Sequence, residues 1–244
     1  MRSVRRVGSS FVTRVVLVHG SVVNAEMAWG HLVEPLREHY EVVLHTRSGY
    51  PPRPPEQRID FDKQADELAA ELRPGDHLAG HSYGGVVSLL AAARHPVLAS
   101  LTVSEPPAFG VARGNPVVEE FIARFEEIVA TDPSPRDYLA GFAPLVGVTL
   151  PTPKTLPPPL EQGAQAALAE RPPFEAEIPL DELAAAAFPK LVLSGAHDPA
   201  FEVVCDVLQQ RLGAERAIVP GAGHAIPRAP GYYDTLVSFV ERAA

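Results

Sequence analysis

Short apolar strands alternate with amphipathic helices along this chain, and that alternation restricts the fold more than any other feature. β-branched and apolar runs predict strands at 12–18, 41–45, 76–79, 98–103, 190–193 and 215–219. Helical spacing of apolar residues predicts helices between them, at 25–39, 59–72, 83–95, 202–212 and 232–242. Repeated β-α-β units of this kind predict an α/β fold with a mostly parallel, doubly wound sheet.

The strand rhythm is interrupted once, between residues 107 and 188. Helices are predicted there at 116–130, 135–141, 161–170 and 180–187, separated by prolines. We therefore expect a core formed by residues 1–106 and 189–244, with residues 107–188 as a helical insertion.

Composition excludes several classes of partner. The formal net charge is −9, and no basic cluster interleaved with aromatic residues appears, so no nucleic-acid partner is expected. The single cysteine, Cys205, cannot form an internal disulfide, and Arg14 interrupts the first apolar stretch. We expect a cytoplasmic protein with no membrane partner and no secretion signal.

Metal and nucleotide cofactors are not expected either. The nine histidines include no His-Glu-x-x-His pattern, and one cysteine cannot build a thiolate site. Gly221 and Gly223 lack the further glycine and helix of a phosphate-binding loop. The expected partner is a small-molecule substrate, and the oligomeric state is left open.

Residues suited to nucleophilic catalysis follow several of the predicted strands. Ligands bind at the carboxyl edge of a parallel sheet, where Ser82, Glu105, Asp198 and His224 would converge. A serine hydroxyl needs a histidine to accept its proton and a carboxylate to orient that histidine. Ser82, His224 and Asp198 are the predicted triad. Asp198 could instead cap the helix that follows it, and Glu105 is then the alternative acid.

An acyl intermediate also requires donors to its negative oxygen. The backbone N–H groups of Ser21 and Tyr83 are predicted to supply them, since each follows a strand at the same edge. We interpret His19 as a residue that supports this loop and His197 as a solvent-facing loop residue.

The stretch 80–84, Gly-His-Ser-Tyr-Gly, resembles the Gly-x-Ser-x-Gly nucleophile elbow of the α/β-hydrolase superfamily. The loops that begin at His19, Gly195 and Gly221 resemble that superfamily's oxyanion, acid and histidine loops, in its Ser, Asp, His order. The resemblance implies an α/β-hydrolase fold and makes residues 107–188 its helical cap, or lid.

Two departures from the superfamily's pattern are visible. The residues before Phe11 leave room for at most one short strand, so we expect a shortened N-terminal hairpin. The loop at 45–50 reads His-Thr-Arg-Ser-Gly-Tyr where many relatives have Asp-x-Arg-Gly-x-Gly. That loop is expected to be reshaped.

The function hypothesis is a serine hydrolase that cleaves a small, largely apolar ester through an acyl-enzyme intermediate. Trp29, His81, Phe109 and Phe142 are candidate pocket residues, although Trp29 could equally pack the first helix. The same triad also serves carbon-carbon hydrolases, lactonases, thioesterases and natural-product tailoring enzymes, so the fold alone does not name the reaction. A non-catalytic ligand receptor is the alternative from another class.

Overall fold

The computed structural model describes residues 13–149 and 153–243, and the strands within these ranges form one six-stranded sheet. The short strand expected before Phe11 lies outside the described residues. The strands are β1 (Arg14–Val18), β2 (Glu41–His45), β3 (His77–His81), β4 (Ser100–Ser104), β5 (Lys190–Ser194) and β6 (Glu215–Ile218).

Every neighbouring pair of these strands is parallel, in the order β2-β1-β3-β4-β5-β6. This confirms the predicted parallel sheet. The chain adds β2 on one side of β1 and β3 on the other, so the strand order reverses between β1 and β3. Such a reversal opens a crevice at the carboxyl ends of the two strands, which is where open α/β sheets bind their ligands.

Helices cover both faces of the sheet. The helices of the described ranges are α1 (Ala25–Arg37), α2 (Phe61–Glu71), α3 (Tyr83–Arg94), α4 (Pro116–Ala130), α5 (Pro135–Leu145), α6 (Pro158–Ala169), α7 (Leu180–Ala185), α8 (Pro199–Leu212) and α9 (Tyr232–Ala243). Val16 and Val18 of β1 point into a core shared with α2, α3 and α8. Val15 and Leu17 point into a second core shared with α1 and α9. Successive side chains of a strand face opposite ways, so this division makes the sheet doubly wound.

Residues 107–188 join β4 to β5 and contain α4 to α7. Two of these helices are longer than their sequence patterns indicated. α5 continues through Pro144 to Leu145, and α6 begins at Pro158, where a proline is tolerated because the first turn needs no N–H partner. Within the described ranges, we find no helix with the length and apolar character that crossing a bilayer requires.

Candidate active site

Ser82 occupies a sharp corner between β3 and α3. Its backbone has φ 52° and ψ −129°, a conformation that non-glycine residues adopt only when the surroundings enforce it. A Cβ at Gly84 would overlap backbone atoms of Val18 and His19, and one at Gly80 would overlap Ser88 and Gly84. Only glycine fits at both positions, so the two glycines permit the corner that presents Ser82 at the sheet edge.

His224 joins Ser82 to a carboxylate. Its Nε2 lies 2.9 Å from Ser82 Oγ, and its Nδ1 lies 2.7 Å from Oε2 of Glu105. A carboxylate can only accept, so Nδ1 carries the proton that is donated to Glu105, and Nε2 is free to accept the proton of the Ser82 hydroxyl. This is the tautomer that a general base beside a serine requires.

The carboxylate on His224 is therefore Glu105, and the prediction of Asp198 in that position is wrong. Asp198 lies at the N-terminus of α8, where its Oδ1 accepts from the backbone N–H of Ala200 at 2.8 Å. It is the helix cap that the sequence also allowed. Glu105 directly follows β4, has φ 40° and is fully buried. Its second oxygen accepts from the N–H of Gly195 at 2.7 Å.

His197 is a site residue that sequence reasoning missed. It does not face solvent: its side chain is 13% exposed, and its Nδ1 lies 3.2 Å from Glu105 Oε1. No well-directed hydrogen bond forms between the two groups, but the short contact still favours the ionised carboxylate of Glu105. Burial opposes a charge on this ring, but Glu105, Asp198 and the carbonyl of Val146 outweigh burial and raise the pKa of His197.

The groups around Glu105 favour its ionised form. Burial alone would raise the pKa of Glu105, but the contacts with His197 and His224 and the N–H of Gly195 lower it to about 2.

His81, in contrast, is held in its neutral form, because burial and the neighbouring His224 lower the pKa of His81 to about 3. A neutral His81 donates from Nε2 to the backbone oxygen of His224 at 2.7 Å. His81 thus braces the histidine loop.

The loop after β1 lies directly against the nucleophile. A Cβ at Gly20 would be 2.9 Å from the Cβ of Ser82, which brings the next residue, Ser21, to the reacting centre. Tyr83 is the first residue of α3, so its backbone N–H has no partner inside the helix. His19 supports the loop, as its ring hydrogen-bonds the oxygen of Gly20 at 2.8 Å.

The pocket residues proposed from the sequence divide into two groups. Phe109 and Phe142 line a narrow aromatic pocket of about 40 Å³ beside Ser82, and His81 and Phe142 line a wider pocket of about 410 Å³ that Ser82 also lines. The prediction of Trp29 as a pocket residue is wrong. Its side chain is fully buried and packs on Tyr232, with ring centroids 5.9 Å apart.

A second buried carboxylate, Glu170, lies beside the same pocket and was not predicted. It forms an ion pair with the guanidinium of Arg47 and accepts from the hydroxyls of Tyr50 at 2.7 Å and Ser21 at 2.5 Å. Arg47 and Tyr50 belong to the loop after β2 whose sequence departs from its relatives, and Glu170 follows α6. The only feature of the sequence that could have indicated this cluster is the unusual stretch from Arg47 to Tyr50.

Three of these side chains could in principle approach a metal ion. Glu105, His197 and His224 each offer a ligand atom, and these atoms lie within 4.8 Å of one another. However, Nδ1 of His224 carries the proton that it donates to Glu105, so this nitrogen has no lone pair free to bind a metal. Glu105 and His224 instead form a hydrogen-bonded chain that leads to Ser82, with His197 beside the carboxylate.

Comparison with known proteins gives a family and a fold. A family model described as "Alpha/beta hydrolase family" matches residues 15–233. A pimeloyl-(acyl-carrier protein) methyl ester esterase of Aliivibrio fischeri is 30% identical over 121 residues, which are 48% of this chain and 47% of the esterase. A second sequence from the same species with the same name is 29% identical over 121 residues. The chain spans about half the length of these curated relatives.

Solved structures share the fold across nearly the whole chain. An alpha/beta hydrolase from Sphaerobacter thermophilus has a TM-score of 0.66 at 24% identity and covers 93% of this chain and 92% of its own. NosK from Streptomyces actuosus has a TM-score of 0.64 at 21% identity, with coverage of 95% and 99%. MenH from S. aureus has a TM-score of 0.69 at 16% identity, with coverage of 95% and 94%.

Proposed function

The chain belongs to the alpha/beta hydrolase family, and on that premise we propose that it is a serine hydrolase that cleaves esters through an acyl-enzyme intermediate. The observation that carries the proposal is the continuous chain from Glu105 through His224 to Ser82, with contacts of 2.7 and 2.9 Å. The match to a methyl ester esterase supports esters as the substrate class.

In the proposed reaction, Ser82 Oγ attacks the ester carbonyl as its proton passes to Nε2 of His224. The carbonyl oxygen becomes an oxyanion, which the backbone N–H groups of Ser21 and Tyr83 stabilise. Glu105 stabilises the imidazolium that has formed. His224 then returns the proton to the leaving alkoxide, and the alcohol departs.

Deacylation repeats these steps with water. His224 accepts a proton from a water molecule that attacks the acyl carbonyl, and then donates that proton to Ser82 Oγ as the ester bond to the serine breaks. The products are a carboxylic acid and the free enzyme. Glu105 keeps its charge throughout because its pKa lies near 2.

A small, largely apolar ester is the substrate we favour. The narrow pocket is lined by aromatic side chains such as Phe109, Phe121 and Phe142, and its volume of about 40 Å³ suits a short group. The wider pocket, about 410 Å³, has a predominantly apolar wall. The two substituents of the ester would therefore differ in size, with the smaller one in the aromatic pocket.

Activated esters and a fluorophosphonate probe test this proposal. The wild type should show a burst with p-nitrophenyl acetate and butyrate and should be labelled by the probe, whereas Ser82→Ala should do neither. Ser238→Ala is a matched control, because this exposed serine lies on α9, away from the site, and within the described residues its hydroxyl hydrogen-bonds only the side chain of Arg242. Labelling of Ser82→Ala at the wild-type rate would exclude Ser82 as the nucleophile.

A lactone and a thioester, assayed beside the two esters, address the reactions that use the same triad. We expect esters with one short substituent to give the highest kcat/KM, since one pocket is about a tenth of the volume of the other. A preference for the lactone or the thioester would leave Ser82 as the nucleophile but would show that simple esters are not the preferred substrate class.

A further inference from the structure

The loop that carries Ser21 has a strained backbone and packs closely against α6. Val22 has φ 72°, a value that β-branched residues rarely adopt. A Cβ at Gly163 of α6 would overlap the backbone oxygen of Val22, so the helix backbone lies directly on the loop. Glycine at 163 permits this close approach.

Glu170, which directly follows α6, is hydrogen-bonded to the same loop. One oxygen of its carboxylate accepts from Ser21 Oγ at 2.5 Å, and the other accepts from Arg47 and Tyr50. The side chain of Glu170 is 6% exposed and that of Arg47 is fully buried. Charged hydrogen bonds that are shielded from water fix geometry more firmly than exposed ones.

The backbone around Glu170 is itself anchored to the core. The N–H of Ile59 donates to the oxygen of Ala169, and the N–H of Arg171 donates to the oxygen of Ile59, both at 2.8 Å. These two bonds form a short parallel bridge between residues 59 and 170. The position of α6 on the core therefore determines where the Glu170 carboxylate lies.

We propose that Glu170 is a positioning residue for the oxyanion hole: it holds Ser21, so that seating of α6 orients the Ser21 backbone N–H toward the reacting carbonyl. The inference rests on the proposed function, in which that N–H stabilises the oxyanion. Under this proposal, catalysis depends on the cap through the hydrogen bond between Glu170 and Ser21. The cap then does more than form a wall of the pocket.

Electrostatics are consistent with such a role. A lone carboxylate near a developing oxyanion would repel it and slow the reaction. Arg47 neutralises Glu170, so the pair adds hydrogen bonds and rigidity with little net charge beside Ser82. Arg47 also donates to the backbone oxygen of Gly20 at 3.0 Å, which ties the ion pair to the same loop.

Ser21→Ala is the decisive variant. It removes the hydroxyl and keeps the backbone N–H, and it leaves Glu170 paired with Arg47, so folding should be preserved. Gln162→Ala is the matched control, because it removes only the bonds from Gln162 Nε2 to the oxygens of Gly49 and Arg53. The bridge between residues 59 and 170 that positions Glu170, and the bond from Ser21 to Glu170, stay in place.

We expect Ser21→Ala to lower kcat about tenfold with KM within about twofold, because a donor that is displaced but still present costs less than one removed outright. Affinity for a trifluoromethyl ketone, whose adduct with Ser82 places an oxyanion in the hole, should fall by a similar factor. Gln162→Ala should change both quantities less than about twofold, and Ser21→Thr, which keeps the hydroxyl, should recover most of the loss.

Amide hydrogen exchange of the segment 19–24 supplies a readout that does not need turnover. It should accelerate in Ser21→Ala and not in Gln162→Ala, even if the wild type hydrolyses no ester and the proposed function fails. Unchanged exchange in Ser21→Ala, or equal losses of kcat in Ser21→Ala and Gln162→Ala, would overturn the inference.

Discussion

Glu105 and Glu170 are two buried carboxylates with different roles, because different groups surround them. Glu105 is connected to Ser82 through His224, whereas Glu170 accepts a hydrogen bond from Ser21. Glu105 directly follows a strand of the core and meets neutral or titratable donors, His224 and the N–H of Gly195. Glu170 follows a cap helix and meets a permanent cation, Arg47. A carboxylate that is already paired with an arginine has little charge left to stabilise a histidine that becomes protonated. Of the two, only Glu105 has no arginine partner among the described residues.

The comparison also separates two roles: Glu105 supports proton transfer, whereas Glu170 supports the conformation of the surrounding loops. Loss of the Glu105 charge should mainly reduce turnover and should cost less stability than loss of the Glu170 charge. Loss of the Glu170 charge should reduce stability, since it strands a buried guanidinium. Three substitution experiments test that division.

The largest expected effect is on turnover in Glu105→Gln. Without a carboxylate, His224 loses both the partner that fixes its tautomer and the charge that stabilises its imidazolium, so kcat should fall about a thousandfold to ten-thousandfold. Asp198→Ala should change kcat by less than about threefold and lower the free energy of unfolding by about 1 kcal/mol, as expected for a helix cap. Steady-state kinetics and urea unfolding of both variants measure the two quantities.

Reversed results, with Asp198→Ala the inactive variant, would restore Asp198 as the acid. That outcome would require the carboxylate to leave the N-terminus of α8 and reach His224 in solution.

Glu170→Gln should have the largest effect on stability. Arg47 would keep its buried charge without a counter-charge, and breaking one side of a buried ion pair typically costs about 3–5 kcal/mol. Asp181→Asn is the control, because Asp181 pairs with Arg211 on the surface, where both side chains are more than half exposed. It should cost less than about 0.5 kcal/mol. Equal values from urea unfolding would show that the Arg47 pair does not support the fold.

Much of the core and two of the three triad residues, Ser82 and His224, could be predicted from the sequence, because their signals are local. Strand and helix periodicity, together with the glycines around Ser82, define the corner. His224 then follows from its place after a strand. The acid could not be assigned by the same reasoning, since Glu105 and Asp198 both follow strands and the sequence does not show which carboxylate reaches the imidazole.

The cap contacts could not be predicted at all. Arg47 and Glu170 are 123 positions apart, and neither lies in a periodic pattern that marks it as buried. Charged residues are expected on the surface, so their burial became visible only once α6 was packed against the loops after β1 and β2. His197 was missed for the same reason, as a histidine in a loop has no pattern that indicates a buried neighbour.

The smallest of the three effects is the pH dependence of stability that Glu105 contributes. Its pKa falls from the ordinary 4.5 to about 2 in the folded protein, so its contribution is complete above about pH 4.5 and is lost as the pH falls toward 2. Linkage gives a loss of roughly 2 kcal/mol between pH 6 and pH 3. Urea unfolding at the two pH values should therefore show a decrease that is smaller in Glu105→Gln than in the wild type by about this amount. If the two proteins lost stability equally, the Glu105 carboxylate would not be held ionised by His197, His224 and Gly195, and the distinction from Glu170 would have to rest on turnover alone.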